Sequence, residues 1–167
     1  AHYPQDPSFM DACDELGLFV IVATPGWQYW NKDPLFAERV HQNTREIIRR
    51  DRNRPSVLFW SVGNEEPHHV TEEGRRICKA MMSRIRKLDS SRVVMTAVCH
   101  DPDVATVYDE LDAIGINYNL NKYDKIHEKY PDKAIFASEC CASSTTRGWY
   151  DDTVFSTGYT NAYDKDS

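Results

Sequence analysis

Two glutamates stand where this sequence could do chemistry. Glu65 follows the apolar run Val57–Val62 and the pair Gly63-Asn64, and Glu139 follows the apolar run Ala134–Ser138. Runs this short read as buried strands rather than helices, and the first is bounded by Pro55 and Gly63. In sheets built from βα units, ligands bind at the C-terminal ends of the strands. Two carboxylates converging on one pocket suit cleavage of a glycosidic bond. One protonates the leaving oxygen, and the other attacks the sugar carbon or activates water. Either glutamate alone could equally cap a helix or pair with an arginine. Two of them at strand ends, with the amide of Asn64 beside one, favour the chemistry. Glu66 competes with Glu65 for the acid role, and its neighbour Pro67 favours Glu65.

Other residues invite weaker readings. Trp27, Trp30 and Trp149 are candidates for stacking on sugar faces, with ordinary loop packing as the competing reading. His68, His69, His100 and the cysteines show no recognised metal-ligand spacing, so His68-His69 reads as a solvated loop. Cys140-Cys141 sits beside Glu139 without a base evident by motif, and reads as packing. The cysteine count is 5, without a framework spacing, which argues against a disulfide scaffold. Cys13 and Cys78 fall on apolar helical faces and read as small hydrophobes. Arg45, Arg49, Arg50, Arg52 and Arg54 read as the outer face of a helix.

The elements that must position these residues follow from periodicity. Pro7–Leu16 carries Phe9, Met10, Cys13 and Leu16 on one helical face and stops at Gly17. Leu18–Ala23 is a continuous apolar strand. Leu35–Arg52 is a helix with Phe36, Val40, Ile47 and Ile48 on one side. Thr71 reads as an N-cap with Glu72 and Glu73 in the first turn, and Ile77, Met81, Ile85 and Leu88 form the stripe behind it. Val93–Val98 is the next strand. A short helical piece over Val104–Glu110 leads to a strand over Ala113–Tyr118. A weaker helix over Asn121–Tyr130 precedes the last strand. Five strands alternate with helices, and each strand is apolar on both faces, which predicts an α/β fold with a parallel sheet covered by helices. The glycine loops of nucleotide folds are absent, so a barrel is preferred over an open sheet.

Length and composition bound the rest. The chain has 167 residues, 41% hydrophobic and 28% charged, which fits one globular unit. A net charge of -6 argues against a nucleic-acid partner. No stretch nears the ~18 apolar residues that would mark a membrane span. The chain is expected to be soluble, with bacterial periplasm and cytoplasm both open as compartments. A (β/α)8 barrel needs about 200 residues or more, so residues 1–167 are expected to be one segment of such a domain, incomplete at both ends.

The stretches His2-Tyr3-Pro4-Gln5-Asp6, Cys13-Asp14-Glu15-Leu16-Gly17-Leu18 and Trp60-Ser61-Val62-Gly63-Asn64-Glu65 carry a resemblance. So do Gly115-Ile116-Asn117-Tyr118-Asn119, Ser138-Glu139 and Arg147-Gly148. Together, and in this order, they resemble glycoside hydrolase family 2, the family of β-galactosidases, β-glucuronidases and β-mannosidases. The resemblance implies a TIM-barrel catalytic domain of which approximately strands three to seven are present. It implies retaining exo-β-glycosidase activity, most similar to the galactosidase-like branch through the run Ser138–Ser144. Glu139 would be the nucleophile, and Glu65, held protonated, the acid/base. Asn64 matches an asparagine on the sugar 2-hydroxyl, Tyr118 a tyrosine on the nucleophile, and His2 a histidine near sugar hydroxyls. The implied partners are a carbohydrate substrate and the other domains of a longer chain, with homo-oligomerisation open. Some relatives bind magnesium near the active site, but no ligands match here, so no cofactor is expected. The glutamate that many members carry after strand three is replaced by Ala23-Thr24-Pro25-Gly26-Trp27, which leaves the sugar open.

Overall fold

The structure, a computed structural model, describes residues 2–27, 30 and 33–140. Its five strands are β1 (Val20–Ala23), β2 (Val57–Asn64), β3 (Val93–Val98), β4 (Ala113–Asn117) and β5 (Ala134–Glu139). They form one sheet in chain order, and every neighbouring pair is parallel. Helices α1 (Pro7–Leu16), α2 (Pro34–Asp51), α3 (Glu72–Leu88) and α4 (Tyr123–Lys129) make up the connections, with three short 3₁₀ turns.

Local chemistry sets the helix ends. Asp6 and Asp33 each accept the N–H two residues on, and Pro7 and Pro34 take the first helical position, where no N–H is needed. Gly17 ends α1 in the left-handed conformation at φ 70°. Thr71 Oγ1 accepts the Gly74 N–H, as its N-cap reading required.

The sheet curls. Phe59 on β2 and Phe136 on β5 bring their ring centroids to 5.4 Å although β3 and β4 lie between them. In a flat sheet three strand spacings would separate those backbones by about 14 Å. Two hydrophobic layers result. The larger lies between sheet and helices and includes Trp60, Ile48, Met81, Ile85, Ile114 and Ile126. The smaller lines the concave face, where Met95, Ala97 and Ala113 meet Ile21, Phe59 and Phe136. Cys13 and Cys78 are buried as expected of small hydrophobes. Strand β4, with a neighbour on each side, is buried throughout, and β5 at the sheet edge is half-buried.

Several boundaries differ from expectation. The first strand starts at Val20, not Leu18, because pairing with β2 begins only at Val57, and Leu18 and Phe19 stay exposed. The piece expected over Val104–Glu110 is helical only in a 3₁₀ turn at Tyr108–Glu110. The weak helix starts at Tyr123 after a 3₁₀ turn over Leu120–Lys122. Arg54 is not on an outer helix face. It lies between α2 and β2 and binds Asp11, Asp14 and Asp51.

Candidate active site

Strands β2, β4 and β5 deliver their last residues to one spot. Asn117, at the end of β4, is fully buried. Its amide nitrogen donates to Glu65 Oε1 at 2.9 Å and to Glu139 Oε1 at 2.9 Å, and lies 3.2 Å from Asn64 Oδ1. The two carboxylate oxygens share one nitrogen, so they stand no more than twice 2.9 Å apart. Ser138 Oγ donates to Asn117 Oδ1 at 2.6 Å, which fixes the amide with its nitrogen toward the acids.

Strand alternation should send consecutive side chains to opposite faces. Here Asn64 and Glu65 both reach Asn117, as do Ser138 and Glu139. Bulges make this possible. Between Ser61 and Asn64, β2 uses one residue more than β3, and on β5 Ser138 is the extra residue opposite Ile116-Asn117. The carbonyl of Gly63 freed by the first bulge is taken by the hydroxyls of Ser61 and Thr96, each at 2.8 Å. Glu65 and Tyr118 also carry positive φ, 49° and 63°, the only non-glycine residues among those described to do so. Such backbone is disfavoured for side chains of this size and gathers where function over-determines it. Gly115 serves the same corner, since a Cβ there would lie 2.8 Å from Ser138 Oγ.

Glu139 has partners at both oxygens. Asn117 binds Oε1, the Tyr118 hydroxyl donates to Oε2, and His2 Nε2 lies 3.6 Å from Oε1. The Tyr118 N–H also donates to the Glu139 carbonyl at 2.8 Å. A cleft of about 180 Å³ opens beside these groups, lined by His2, Asn64 and Glu139 together with Ile21, Met95 and Ala97. Of the residues expected at the site, Glu65, Glu139, Asn64, Tyr118 and His2 are brought together.

Trp27 is a correction. Its ring is fully buried, its Nε1 donates to the Val62 carbonyl at 2.8 Å, and it stacks on His68 and meets His69 edge-on, so no face is left for a sugar. The solvated-loop reading of His69 is also corrected, because the ring is fully buried against Trp27 and His100. Burial pushes its imidazole pKa down to about 3. Trp30 packs on Phe36 and His41. Trp149, Arg147 and Gly148 lie outside the described residues. Glu66, the rival acid, turns away from the cleft and is buried beneath it, where its Oε1 accepts the Trp27 N–H at 3.0 Å. Burial drives its carboxyl up to about 7. Among the described residues no group of three or more His, Cys, Asp or Glu is arranged to hold a metal ion.

Sequence reasoning left Asn117 and Ser138 without roles. The available signal was positional: Asn117 ends an apolar strand just as the two glutamates follow theirs. An amide at such an end can hold two acids in register.

A barrel-type parallel sheet that brings two carboxylates together at its C-terminal rim is one framework on which glycosidic bonds can be cleaved. The comparisons give the particular family. The sequence matches the description "Glycosyl hydrolases family 2, TIM barrel domain" over residues 1–152. It is 27% identical to "Beta-galactosidase BoGH2A" of Bacteroides ovatus, over 90% of this chain and 22% of that protein. A crystal structure of a family 2 member from Bacteroides cellulosilyticus superposes with a TM-score of 0.77 at 34% identity, covering 86% of this chain and 19% of that one. A β-glucuronidase from an uncultured Clostridium superposes with a TM-score of 0.77 at 26% identity, over 90% of this chain and 30% of that one. The chain therefore belongs to glycosyl hydrolase family 2 and forms part of its TIM barrel domain. It spans about a fifth of the length of the Bacteroides ovatus relative.

Proposed function

We propose that this chain is the central part of the catalytic barrel of a longer retaining exo-β-glycosidase acting on β-galactosides. The observation that carries the reading is the Asn117 amide bridging Glu65 and Glu139. The limit it sets on their two bridged oxygens lies nearer the ~5–5.5 Å between the carboxyls of retaining pairs than the ~6.5–9.5 Å of inverting ones, which supports the retaining reading. In this reading Glu139, oriented by donors at both oxygens, attacks the anomeric carbon as the glycosidic bond breaks. Glu65 accepts from Asn117 alone among the described residues. It delivers a proton to the departing oxygen, then takes one from the water that opens the glycosyl-enzyme. In the same reading Asn64 hydrogen-bonds the sugar 2-hydroxyl and His2 meets other ring hydroxyls. The galactoside preference rests on the name of the Bacteroides ovatus relative. The glucuronidase neighbour favours a second reading, a uronosidase on the same scaffold.

The test uses the full-length protein on a panel of nitrophenyl glycosides. Glu139→Ala is expected to lose turnover by more than about 10³-fold. Azide should restore it by attacking the anomeric carbon in place of the missing carboxylate, releasing nitrophenolate and giving a glycosyl azide of inverted configuration. Absence of rescue at Glu139 moves the nucleophile elsewhere. The preferred glycoside in the same panel decides between galactoside and uronoside.

A further inference from the structure

The turn that carries Glu65 has an anchor on its hidden side. Glu66 is fully buried, and its Oε1 accepts the main-chain N–H of Trp27 in the loop after β1. The Trp27 indole in turn donates to Val62 on β2, so loop and strand are cross-tied twice within a few residues of Glu65. The Trp27 ring stacks on His68 and meets His69 edge-on, and the His69 N–H closes the 3₁₀ turn on the Glu66 carbonyl at 2.9 Å. Gly63 makes the arrangement possible. A Cβ there would lie 2.8 Å from Glu66 Oε1 and 2.9 Å from the Trp27 indole nitrogen. Glu66 Oε2 and both ring nitrogens of His69 are buried without a hydrogen-bond partner among the described residues. A buried acid so incompletely satisfied is costly, and an apolar residue would fill the space at less cost unless the Glu66–Trp27 bond were needed.

We infer that Glu66 is a positioning residue, which locks the loop after β1 to the left-handed turn at Glu65 and so holds the Glu65 carboxyl on Asn117. This rests on the reading of Glu65 as the acid/base. A displaced acid matters most where the leaving group needs a proton. An activated aryl leaving group departs almost unaided, and an alkyl one does not.

The test therefore compares dinitrophenyl and methyl galactosides in the full-length protein. Glu66→Leu, which removes the acceptor, should lower kcat/KM on the methyl substrate by about 10²-fold, the cost of misplacing a reacting group by about an ångström. It should lower kcat/KM on the dinitrophenyl substrate less than about threefold, since kcat/KM reports the glycosylation step and leaves out the later hydrolysis, in which Glu65 is the base. Gly63→Ala, which wedges the Glu66 carboxyl without removing it, should reproduce the pattern and stands in if the leucine variant does not fold. Glu66→Gln keeps the acceptor and should restore the methyl substrate to within about threefold of the unaltered protein. Equal losses on both substrates in the folded variants, or no loss on either, would overturn the inference. Glu65→Gln is the control for the reading beneath it. If that variant keeps full activity on the methyl substrate while Glu66→Gln loses it, the acid is Glu66 and both assignments fall.

Discussion

Glu65 and Glu66 are the same residue type one position apart, and the backbone gives them opposite lives. The positive φ of Glu65 keeps its carboxyl on the cleft side with Asn64, so the next side chain falls beneath the sheet rim. Glu66 is thus removed from water, and burial raises its carboxyl from 4.5 to about 7. The linkage has a definite sign. The folded protein holds this proton more tightly than the unfolded chain, so its stabilisation is complete below pH 4.5 and is lost as pH rises through about 7. At about 1.4 kcal/mol per pKa unit the loss amounts to about 3 kcal/mol. Urea titrations of the full-length protein from pH 4 to 8 should show it shedding that amount relative to Glu66→Gln, whose amide does not titrate. Parallel pH curves for the two proteins would mean that Glu66 ionises as freely folded as unfolded.

The elements were largely legible and their last residues were not. Short, mostly apolar and β-branched runs such as Val93–Val98 are too short for a helix and read as strands buried on both faces, and the strand matches that expectation at both ends. Caps at Asp6, Asp33 and Thr71 follow from side chains that reach the first free N–H groups. The bulges at Ser61–Asn64 and at Ser138 depend on hydroxyls from other strands and on the space at Gly63 and Gly115, none of which periodicity reports. For the same reason the sequence leaves Trp27 open between stacking on a sugar and packing in its loop. Its burial is decided by Val62 and Glu66, both distant in the chain.

At the far end of the strands the elements are tied by Asp89, which follows α3. It accepts from the buried Trp60 indole at 2.9 Å, from Ser91, and from Arg92 at 2.8 Å. Those donors outweigh the desolvation that opposes them and bring its carboxyl down to about 2. Arg92 also donates to the carbonyls of Arg52, Arg54 and Val57, joining the end of α2 to the start of β2. Asp89→Ala leaves the Trp60 indole N–H without its acceptor and the Arg92 guanidinium without its counter-charge, and should cost about 2–4 kcal/mol of stability in urea unfolding. The Michaelis constant should not move, since this cluster and the cleft lie at opposite ends of the sheet. A loss below about 0.5 kcal/mol would mean that solvent already satisfies these donors.

For the molecule as a whole, the curled sheet has an inner face and two edges to account for. Phe59, Phe136 and Ile21 on the concave side are only partly buried. Strands β1 and β5 form the edges of the described sheet, with backbone groups directed outward that can template pairing with another chain. The site shares this openness: Tyr118 remains 46% exposed although it bonds Glu139. Donors and acids that face water interact more weakly than the same groups in an enclosed pocket, and preorganised electrostatics supply much of the acceleration an enzyme achieves. A polypeptide of these 167 residues alone is therefore expected to self-associate with rising concentration in sedimentation velocity. On nitrophenyl galactoside its kcat/KM should fall by more than about 10²-fold from that of the full-length protein. The two readouts are linked through the missing enclosure, so additives that suppress association should leave the activity low. A monomeric segment with the turnover of the full protein would show that β2, β4 and β5 hold Glu65, Asn117 and Glu139 without help from the rest of a barrel.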